Sequence, residues 1–185
     1  MKKAIFLCLP LMLGLTSLSC SILKKSTDMS NLHIIPQEEV VNFLSDSVCN
    51  VIFSDALVNV YKVETKIDSI EYSPDSLVCD HVIVKEAKNI SKDLVSALQF
   101  ILSDKKTYYS GEYIPSSPFI PGYLIEFVNN DKICRMLISI SGGFCRLYWN
   151  DDLLQDFKYT QERLITYFLQ ITTEDEGLKD ILQLQ

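Results

Sequence analysis

The chain has 185 residues, of which 48% are hydrophobic and 22% are charged, with six Gly and six Pro. This composition excludes a disordered, collagenous or low-complexity chain and predicts a single globular domain. The net charge is −7, and it becomes −9 without residues 1–19, which hold two lysines and no acidic residue. Because nucleic-acid affinity comes largely from Lys and Arg at the phosphates, we expect no nucleic-acid partner for so acidic a chain.

The first twenty residues have the pattern of an export signal. Lys2 and Lys3 precede an apolar run over residues 4–15, which is shorter than the about 20 residues of a membrane-spanning helix. The run leads into Thr-Ser-Leu-Ser followed by Cys20. Small residues before a cysteine at this distance resemble the lipobox of bacterial lipoproteins, in the relaxed form of the Bacteroidetes. The alternative is an ordinary secretory peptide that is cleaved near Ser19.

The lipobox resemblance implies a type II signal peptide over residues 1–19 and a diacylglycerol anchor on Cys20, with an acyl chain such as palmitate on its amine. Two or three acyl chains anchor a protein stably, so the membrane is an expected partner. Residues 20–35 then form the anchor and tether, and residues 36–185 form the domain. Lysines occupy residues 24–25, where surface-exported lipoproteins of that group carry acidic residues. This difference favours the outer membrane, with the domain facing the periplasm.

The domain opens with a predicted helix over residues 37–53. Pro36 suits a first helical turn, and Glu38 and Glu39 complement the positive end of the helix dipole. Apolar side chains follow at helical spacing. The next predicted elements are a strand, a polar connection, a strand, a helix and a proline-rich loop, at residues 57–64, 65–76, 77–85, 91–104 and 107–122.

Three further strands are predicted as a meander of two hairpins, at residues 122–128, 132–141 and 144–149. Two-residue turns at 130–131 and 142–143 place the apolar side chains of all three strands on one face. They also put Glu126 opposite Arg135 as a cross-strand ion pair. Because a one-residue slip would turn the apolar set outward, this sorting supports the register.

The same register places Trp149 opposite Met136, in the core beneath the last helix. It pairs Ile140 with Cys145, so that Cys134 and Cys145 lie at opposite ends of their strands. A disulfide needs Cα atoms within about 7 Å, and we therefore expect no bond between these two cysteines.

The last predicted helix covers residues 160–173, with Thr160 as its cap and Leu164, Phe168 and Ile171 on its buried face. A short tail turn follows. The order α-β-β-α-β-β-β-α predicts an α+β domain in which about three helices cover an antiparallel sheet of about five strands, ending in a three-strand meander.

The residues that carry chemistry are few. An even number of cysteines follows Cys20, which allows either two disulfides or four buried thiols: Cys49, Cys79, Cys134 and Cys145. No metal and no cofactor are expected, because the chain has no C-x-x-C and none of the common catalytic or phosphate-binding motifs. His81 is expected to be structural, since Asp80 points to the opposite face of its strand.

Aromatic residues give the candidate binding surface, in and beside the 107–122 loop: Tyr108, Tyr109, Tyr113 and Phe119. Tyr and Phe on a loop offer contact area at a low entropic cost. The alternative is that these side chains cover one end of the sheet as a minor core.

Two serines in the polar connection, Ser69 and Ser76, follow Asp and precede an apolar residue. Their tripeptides resemble the acceptor motif of Bacteroidetes O-glycosylation, which implies possible sugar attachment there. Residues 37–170 also resemble small Bacteroidetes lipoproteins, with a proline-led strand before an apolar strand and cysteines nearby. That resemblance implies no activity and no catalytic residue.

The sequence therefore favours a lipid-anchored cell-envelope protein that acts as a binding or accessory module. Its expected partner is another envelope protein or a glycan. Two alternatives stay open: an envelope hydrolase with a site between the 107–122 loop and the sheet, and a small inhibitor or immunity-type protein.

Overall fold

The computed structural model describes residues 33–87, 90–109 and 118–184. Within these residues seven strands form one antiparallel sheet and five helices accompany it, which confirms the α+β class. The predicted numbers of strands and helices, about five and three, are wrong. The helices are α1 (Glu38–Leu44), α2 (Asp46–Ile52), α3 (Lys92–Ser103), α4 (Glu162–Thr173) and α5 (Glu176–Leu184). The strands are β1 (Leu57–Thr65), β2 (Leu77–Val78), β3 (His81–Glu86), β4 (Tyr123–Asn129), β5 (Lys132–Ser139), β6 (Phe144–Trp149) and β7 (Asp152–Lys158).

The strand order is β2-β3-β1-β4-β5-β6-β7. Strand β1 therefore lies between the β2–β3 hairpin and a meander of four strands, β4 to β7. The prediction of a three-strand meander missed β7. In that strand only Phe157 is buried, while Leu153 and Leu154 are about half exposed. Without alternation between apolar and polar side chains, β7 has no strand pattern in the sequence.

The main core lies between the helices and one face of the sheet. Its strand residues include Val60, Ile125, Phe127 and Leu147, and its helix residues include Ile52, Leu98, Ile165 and Leu169. A small second cluster, formed by Val63, Leu124 and Leu137, lies on the other face. Both faces of the sheet are therefore partly covered, but the helices belong to the main core.

The helix predicted over 37–53 is two helices that meet at Ser45, whose φ is 81°. The break lets the two halves pack on different strands. Gln155 of β7 donates a hydrogen bond of 3.2 Å to the Phe43 carbonyl at the end of α1, whereas α2 contacts β4 and β5. A single straight helix would not follow the sheet in this way.

The strand predicted over 77–85 is a hairpin in which β2 and β3 are joined by Cys79 and Asp80. Both turn residues have positive φ, 47° and 61°, as a type I′ turn requires. That turn usually contains Asn and Gly, so Cys79 and Asp80 give no signal for it.

The predicted register of β4 and β5 is confirmed, including Glu126 opposite Arg135. The turn between β5 and β6 has four residues rather than two, so Ser139 pairs with Phe144 and Trp149 lies opposite Cys134. A shift of two positions keeps every side chain on its predicted face. Trp149 is half-buried at the margin of the core, which corrects the prediction that it lies opposite Met136 within the core.

The last long helix begins at Glu162, two residues later than predicted. Thr160 does not cap it, because the Thr160 hydroxyl donates to the Lys106 carbonyl and Gln161 is the N-cap residue. The predicted buried face is only partly correct. Phe168 is buried, as are Ile165, Leu169 and Thr172, whereas Leu164 and Ile171 are 47% and 37% exposed. The predicted tail turn is α5.

Candidate functional site

A cleft of about 640 Å³, here called the α3 cleft, opens between the end of α2, the start of β1 and one side of α3. Its volume lies within the range of about 300–1,000 Å³ that is usual for small-ligand sites. Phe53, Val58 and Val95 form an apolar wall, and Ser96 and Gln99 of α3 also line the cleft. The lining therefore combines apolar and polar surface.

Helix α3 positions the two polar side chains. Ser91 caps the helix, since its Oγ accepts a hydrogen bond of 3.3 Å from a backbone N–H of the first turn. Leu98 and Leu102, each 1% exposed, fix the helix on the core. Ser96 and Gln99 are three positions apart, so they are neighbours along one side of the helix, and that side faces the α3 cleft.

The side-chain amide of Gln99 links α3 to the end of α2. Its Nε2 donates hydrogen bonds of 2.7 Å to the Ile52 carbonyl and 3.0 Å to the Ser54 carbonyl. These bonds satisfy the last carbonyl of α2, which has no helical partner, and a carbonyl of the loop that follows it. They also use both protons of the amide, and no hydrogen bond of the described residues uses Oε1.

Ser96 is 7% exposed, as is Gln99. No described residue forms a hydrogen bond with the Ser96 hydroxyl, and this oxygen is not among the fully enclosed polar atoms, which within the described chain are Ser139 Oγ and Thr166 Oγ1. The Ser96 hydroxyl and Gln99 Oε1 are therefore reached through the cleft. Because a buried polar atom without a partner is costly, this pair is a place where a ligand can supply hydrogen bonds.

The loop that follows α2 is held to the sheet by Ser54. Its Oγ donates a hydrogen bond of 2.8 Å to the Val51 carbonyl and accepts one of 2.8 Å from Nδ2 of Asn129, at the end of β4. Together with the Gln99 bonds, these contacts fix the floor of the cleft on both sides. A site on such supported elements holds its geometry before a ligand arrives.

Charged side chains stand at the mouth of the α3 cleft rather than inside it. Asp55, Lys92 and His33 line the cleft and are exposed. Asp55 and Lys92 have opposite charges, so the mouth carries no strong excess of either sign.

A second polar cluster lies on the opposite face of the sheet, around Glu126. Oε1 of Glu126 accepts bonds of 3.0 Å from Asn59 and 3.5 Å from Tyr61, and Oε2 accepts one of 2.8 Å from Arg135 Nε. Arg135 also donates 2.8 Å bonds to the Asn150 carbonyl and to a carboxylate oxygen of the same turn. Burial, followed by the Glu126 charge, raises the pKa of Tyr61 to about 12. Because both carboxylate oxygens of Glu126 accept hydrogen bonds from neighbouring side chains, this cluster is a structural network.

The predicted aromatic surface is divided between the two faces of the sheet. Tyr108 is buried in the main core, where its OH donates a 2.8 Å bond to the Leu102 carbonyl and its ring lies 5.0 Å from that of Phe43. Tyr109 is 43% exposed. Phe119 packs on the small second cluster, with the Arg146 guanidinium 4.2 Å above its ring. Tyr113 and much of the 107–122 loop lie outside the described residues.

The four cysteines of the described chain are free thiols. Burial raises the pKa of Cys49 and of Cys79 to about 11 and that of Cys134 to about 12, and it holds the pKa of Cys145 well above its ordinary value. At neutral pH all four are therefore protonated, and a protonated thiol is a poor nucleophile.

The other predicted residues are dispersed. His81 lies at the start of β3, with Nδ1 2.6 Å from the Cys79 carbonyl. Ser69 is exposed in the polar connection, whereas the Ser76 hydroxyl donates a 2.7 Å bond to the Ser73 carbonyl. Glycosylation of these serines stays a prediction. Cys20, the predicted lipid attachment residue, lies outside the described residues.

Among the residues that the structure describes, no group of three His, Cys, Asp or Glu side chains could hold a metal ion. In the same part of the chain, none of the helices has the length and apolar composition needed to cross a membrane. Comparisons of the chain with protein-family models, curated proteins and solved structures found no match.

Ser96 and Gln99 are functional candidates that the sequence does not single out. The apolar positions of the predicted helix are Leu94, Leu98 and Ile101. A rotation of about 100° per residue turns Ser96 and Gln99 away from these positions, so the helical pattern predicts both as exposed. Buried polar side chains need hydrogen-bond partners, and here one polar atom of each side chain faces the cleft.

Proposed function

We propose that the protein is a lipid-anchored cell-envelope protein that acts as a binding module, with its ligand held in the α3 cleft. The observation that carries the proposal is the pair formed by Ser96 and Gln99. Each side chain is 7% exposed, each has a polar atom that no described residue engages, and both line the cleft. The rigid support of Gln99 by two backbone carbonyls suits a group that recognises rather than moves.

The proposed anchor on Cys20 sets the surroundings of the cleft. Twelve residues, 21–32, separate Cys20 from His33, and His33 lines the cleft. Twelve residues span at most about 40 Å, because the covalent chain allows no more than about 3.3–3.6 Å per residue. The proposal therefore places the cleft close to the membrane, on the periplasmic side of the outer membrane, where envelope glycans and other envelope proteins are within reach.

The test uses the purified lipidated protein in detergent and a low-molecular-weight digest of a Bacteroidetes envelope, which contains both glycan and peptide fragments. A ligand that binds only the folded state raises the melting temperature by mass action. We expect the digest to stabilise the wild type. Ala56→Phe and Val95→Phe fill the cleft from two sides, and we expect either variant to lose the stabilisation.

Both variants are first compared with the wild type by circular dichroism and by melting without the digest, so that a folding defect in one leaves the other informative. Leu153→Phe, on an exposed position of β7, adds the same ring outside the cleft and serves as the matched control. A digest that leaves the wild-type melting temperature unchanged, or that stabilises the filled variants equally, contradicts binding in the α3 cleft.

A further inference from the structure

We infer that the α3 cleft takes a neutral, polyhydroxylated ligand, a sugar unit, and that Ser96 and Gln99 form the hydroxyl-reading pair of the site. This inference rests on the proposed binding function and specifies its ligand class. It starts from the different hydrogen-bonding capacities of the two side chains.

Gln99 is a committed acceptor. Because Nε2 donates to the carbonyls of Ile52 and Ser54, a flip of the amide would bring Oε1 against two carbonyl oxygens. Such a contact pairs acceptors with acceptors. Oε1 therefore stays on the side of the cleft and requires a donor from the ligand. A carboxylate or phosphate group has only acceptors to offer at this position, and the pair disfavours it.

Ser96 complements Gln99, because a hydroxyl both donates and accepts. Gln99 Oε1 can only accept a hydrogen bond, whereas the Ser96 hydroxyl can donate or accept one. The pair therefore matches two adjacent hydroxyls of a ligand, because each ligand hydroxyl can also donate and accept. A fatty acyl chain in the same place would leave both protein atoms without partners, at the cost of a buried unsatisfied group.

The remaining lining fits the same ligand class. Phe53 and Val58, which are 8% and 6% exposed, form an apolar surface in the cleft, and a sugar ring has C–H faces as well as hydroxyl edges. Charges stay at the mouth, where Asp55 and Lys92 have opposite signs. A neutral ring with one apolar face therefore satisfies both kinds of surface, whereas an ionic ligand finds no buried counter-charge.

The experiment is saturation-transfer NMR on the full lipidated protein with single compounds. The neutral sugars are glucose, galactose, mannose and N-acetylglucosamine, together with the tetramer of the last. The comparison compounds are glucuronate, decanoate and dialanine. We expect saturation transfer to at least one neutral sugar, with its ring C–H protons most strongly saturated, and weaker or no transfer to the comparison compounds.

Ser96→Ala removes the hydroxyl from the cleft while keeping a good helix former, and we expect it to weaken sugar binding about five- to tenfold. Ser103→Ala is the matched control, since Ser103 lies in the same helix and its hydroxyl is occupied by the Phe100 carbonyl at 2.8 Å. Its dissociation constant should equal that of the wild type. Gln99→Met removes the acceptor Oε1, and we expect it to weaken sugar binding as well. Circular dichroism checks that this second variant is folded.

The outcomes separate the ligand class from the proposed function. If decanoate or dialanine binds and Ala56→Phe abolishes that binding, while no sugar binds, then the binding function stands and the sugar assignment is overturned. Sugar binding that Ser96→Ala leaves unchanged overturns the pair as the reading element. Equal affinities for N-acetylglucosamine and its tetramer would show that the site takes the end of a glycan chain. Binding of N-acetylglucosamine alone would show that the site takes a free sugar. If neither the single compounds nor the envelope digest binds, both proposals fail.

Discussion

The hydroxyl of Tyr123 donates a hydrogen bond of 2.6 Å to Oδ2 of Asp175, and Lys62 forms an ion pair of 2.6 Å with the same oxygen. The other oxygen accepts a 3.0 Å bond from the Gly177 backbone. These contacts fasten the corner between α4 and α5 to β1 and β4. Burial raises the pKa of Asp175, but the bonds from Lys62 and Tyr123 outweigh burial and hold that pKa below its ordinary value.

This depressed pKa predicts acid sensitivity. An Asp whose pKa is lower in the folded state stabilises the fold above its unfolded pKa of about 3.9, and the contribution is lost as the pH falls through the folded pKa. Asp175→Asn should therefore lower the free energy of unfolding by about 1–2 kcal/mol at pH 7. The difference from the wild type should shrink below about pH 4. Urea unfolding at a series of pH values measures it.

The control for Asp175 is Asp180→Asn, which changes an exposed carboxylate of α5. Its effect should stay within about 0.5 kcal/mol at all pH values. A difference between Asp175→Asn and the wild type that is the same at pH 3 and pH 7 would show that the carboxylate charge plays no part.

The amide of Gln99 carries a stability prediction that does not depend on any ligand. Gln99→Leu removes both bonds to the Ile52 and Ser54 carbonyls, and we expect a loss of about 2–3 kcal/mol. Backbone hydrogen exchange in this variant should become faster at the end of α2 to a greater extent than in β5. Gln183→Leu, at an exposed position of α5, makes the same chemical change without the bonds. Equal stability of the two variants would remove Gln99 as the link between α3 and α2.

The Glu126 network predicts a strong non-additivity. The side chains of Arg135 and Glu126 are 14% and 11% exposed, so Arg135→Met leaves a nearly buried carboxylate without its cation, at a cost of about 3 kcal/mol or more. Adding Glu126→Gln should recover part of that loss, because an amide needs no counter-charge. A double-mutant cycle by urea unfolding measures the coupling, and a coupling below about 0.5 kcal/mol would classify the pair as a surface ion pair.

Trp149 is expected to report an intermediate environment. It is half-buried beside the core, whereas Leu147 on the same strand face is 0% exposed. Leu147→Ala should cost about 3–4 kcal/mol, and Trp149→Ala less than the about 3–5 kcal/mol of a fully enclosed aromatic residue. Iodide should quench the Trp149 fluorescence partly. Emission that iodide leaves unchanged would show a fully enclosed ring.

The lipid anchor has its own test at Cys20. Cys20→Ala should move the protein from the membrane fraction to the soluble fraction and abolish labelling by palmitate, because the proposal assigns the attachment to two or three acyl chains on this residue. The melting curve of the domain should not change. A Cys20→Ala protein that still sediments with membranes, together with a wild type that takes up no labelled palmitate, would exclude the lipoprotein proposal.

The fold was predictable wherever local patterns and pairing rules agree. The β4–β5 register follows from the turn at 130–131 and from the pairing of Glu126 with Arg135, because both are short-range features. The break at Ser45 was not predictable, since it depends on how the two helices pack on strands that are distant in the sequence. Strand β7 was not predicted because its position depends on pairing with β6, and Phe157 is the only one of its side chains that is buried.

The candidate site was less accessible to sequence analysis than the fold. The α3 cleft depends on how α3 packs against the loop after α2, and residues 45 positions apart meet there, since Ser54 and Gln99 line one cavity. Conversely, the aromatic residues of one loop were predicted to share a surface, but the sheet passes between Tyr108 and Phe119. Neighbours in the chain are a weak guide to neighbours across a sheet.

The break at Ser45 also has a consequence for the order of folding. Helices α1 and α2 have seven residues each, and isolated helices shorter than about 12–15 residues are marginal in water. Neither can persist until β4, β5 and β7 offer a surface, and these strands come at least 70 residues later in the chain. The part of the domain that is synthesised first thus acquires its structure among the last, and the floor of the α3 cleft forms only after α3 and β4 are in place.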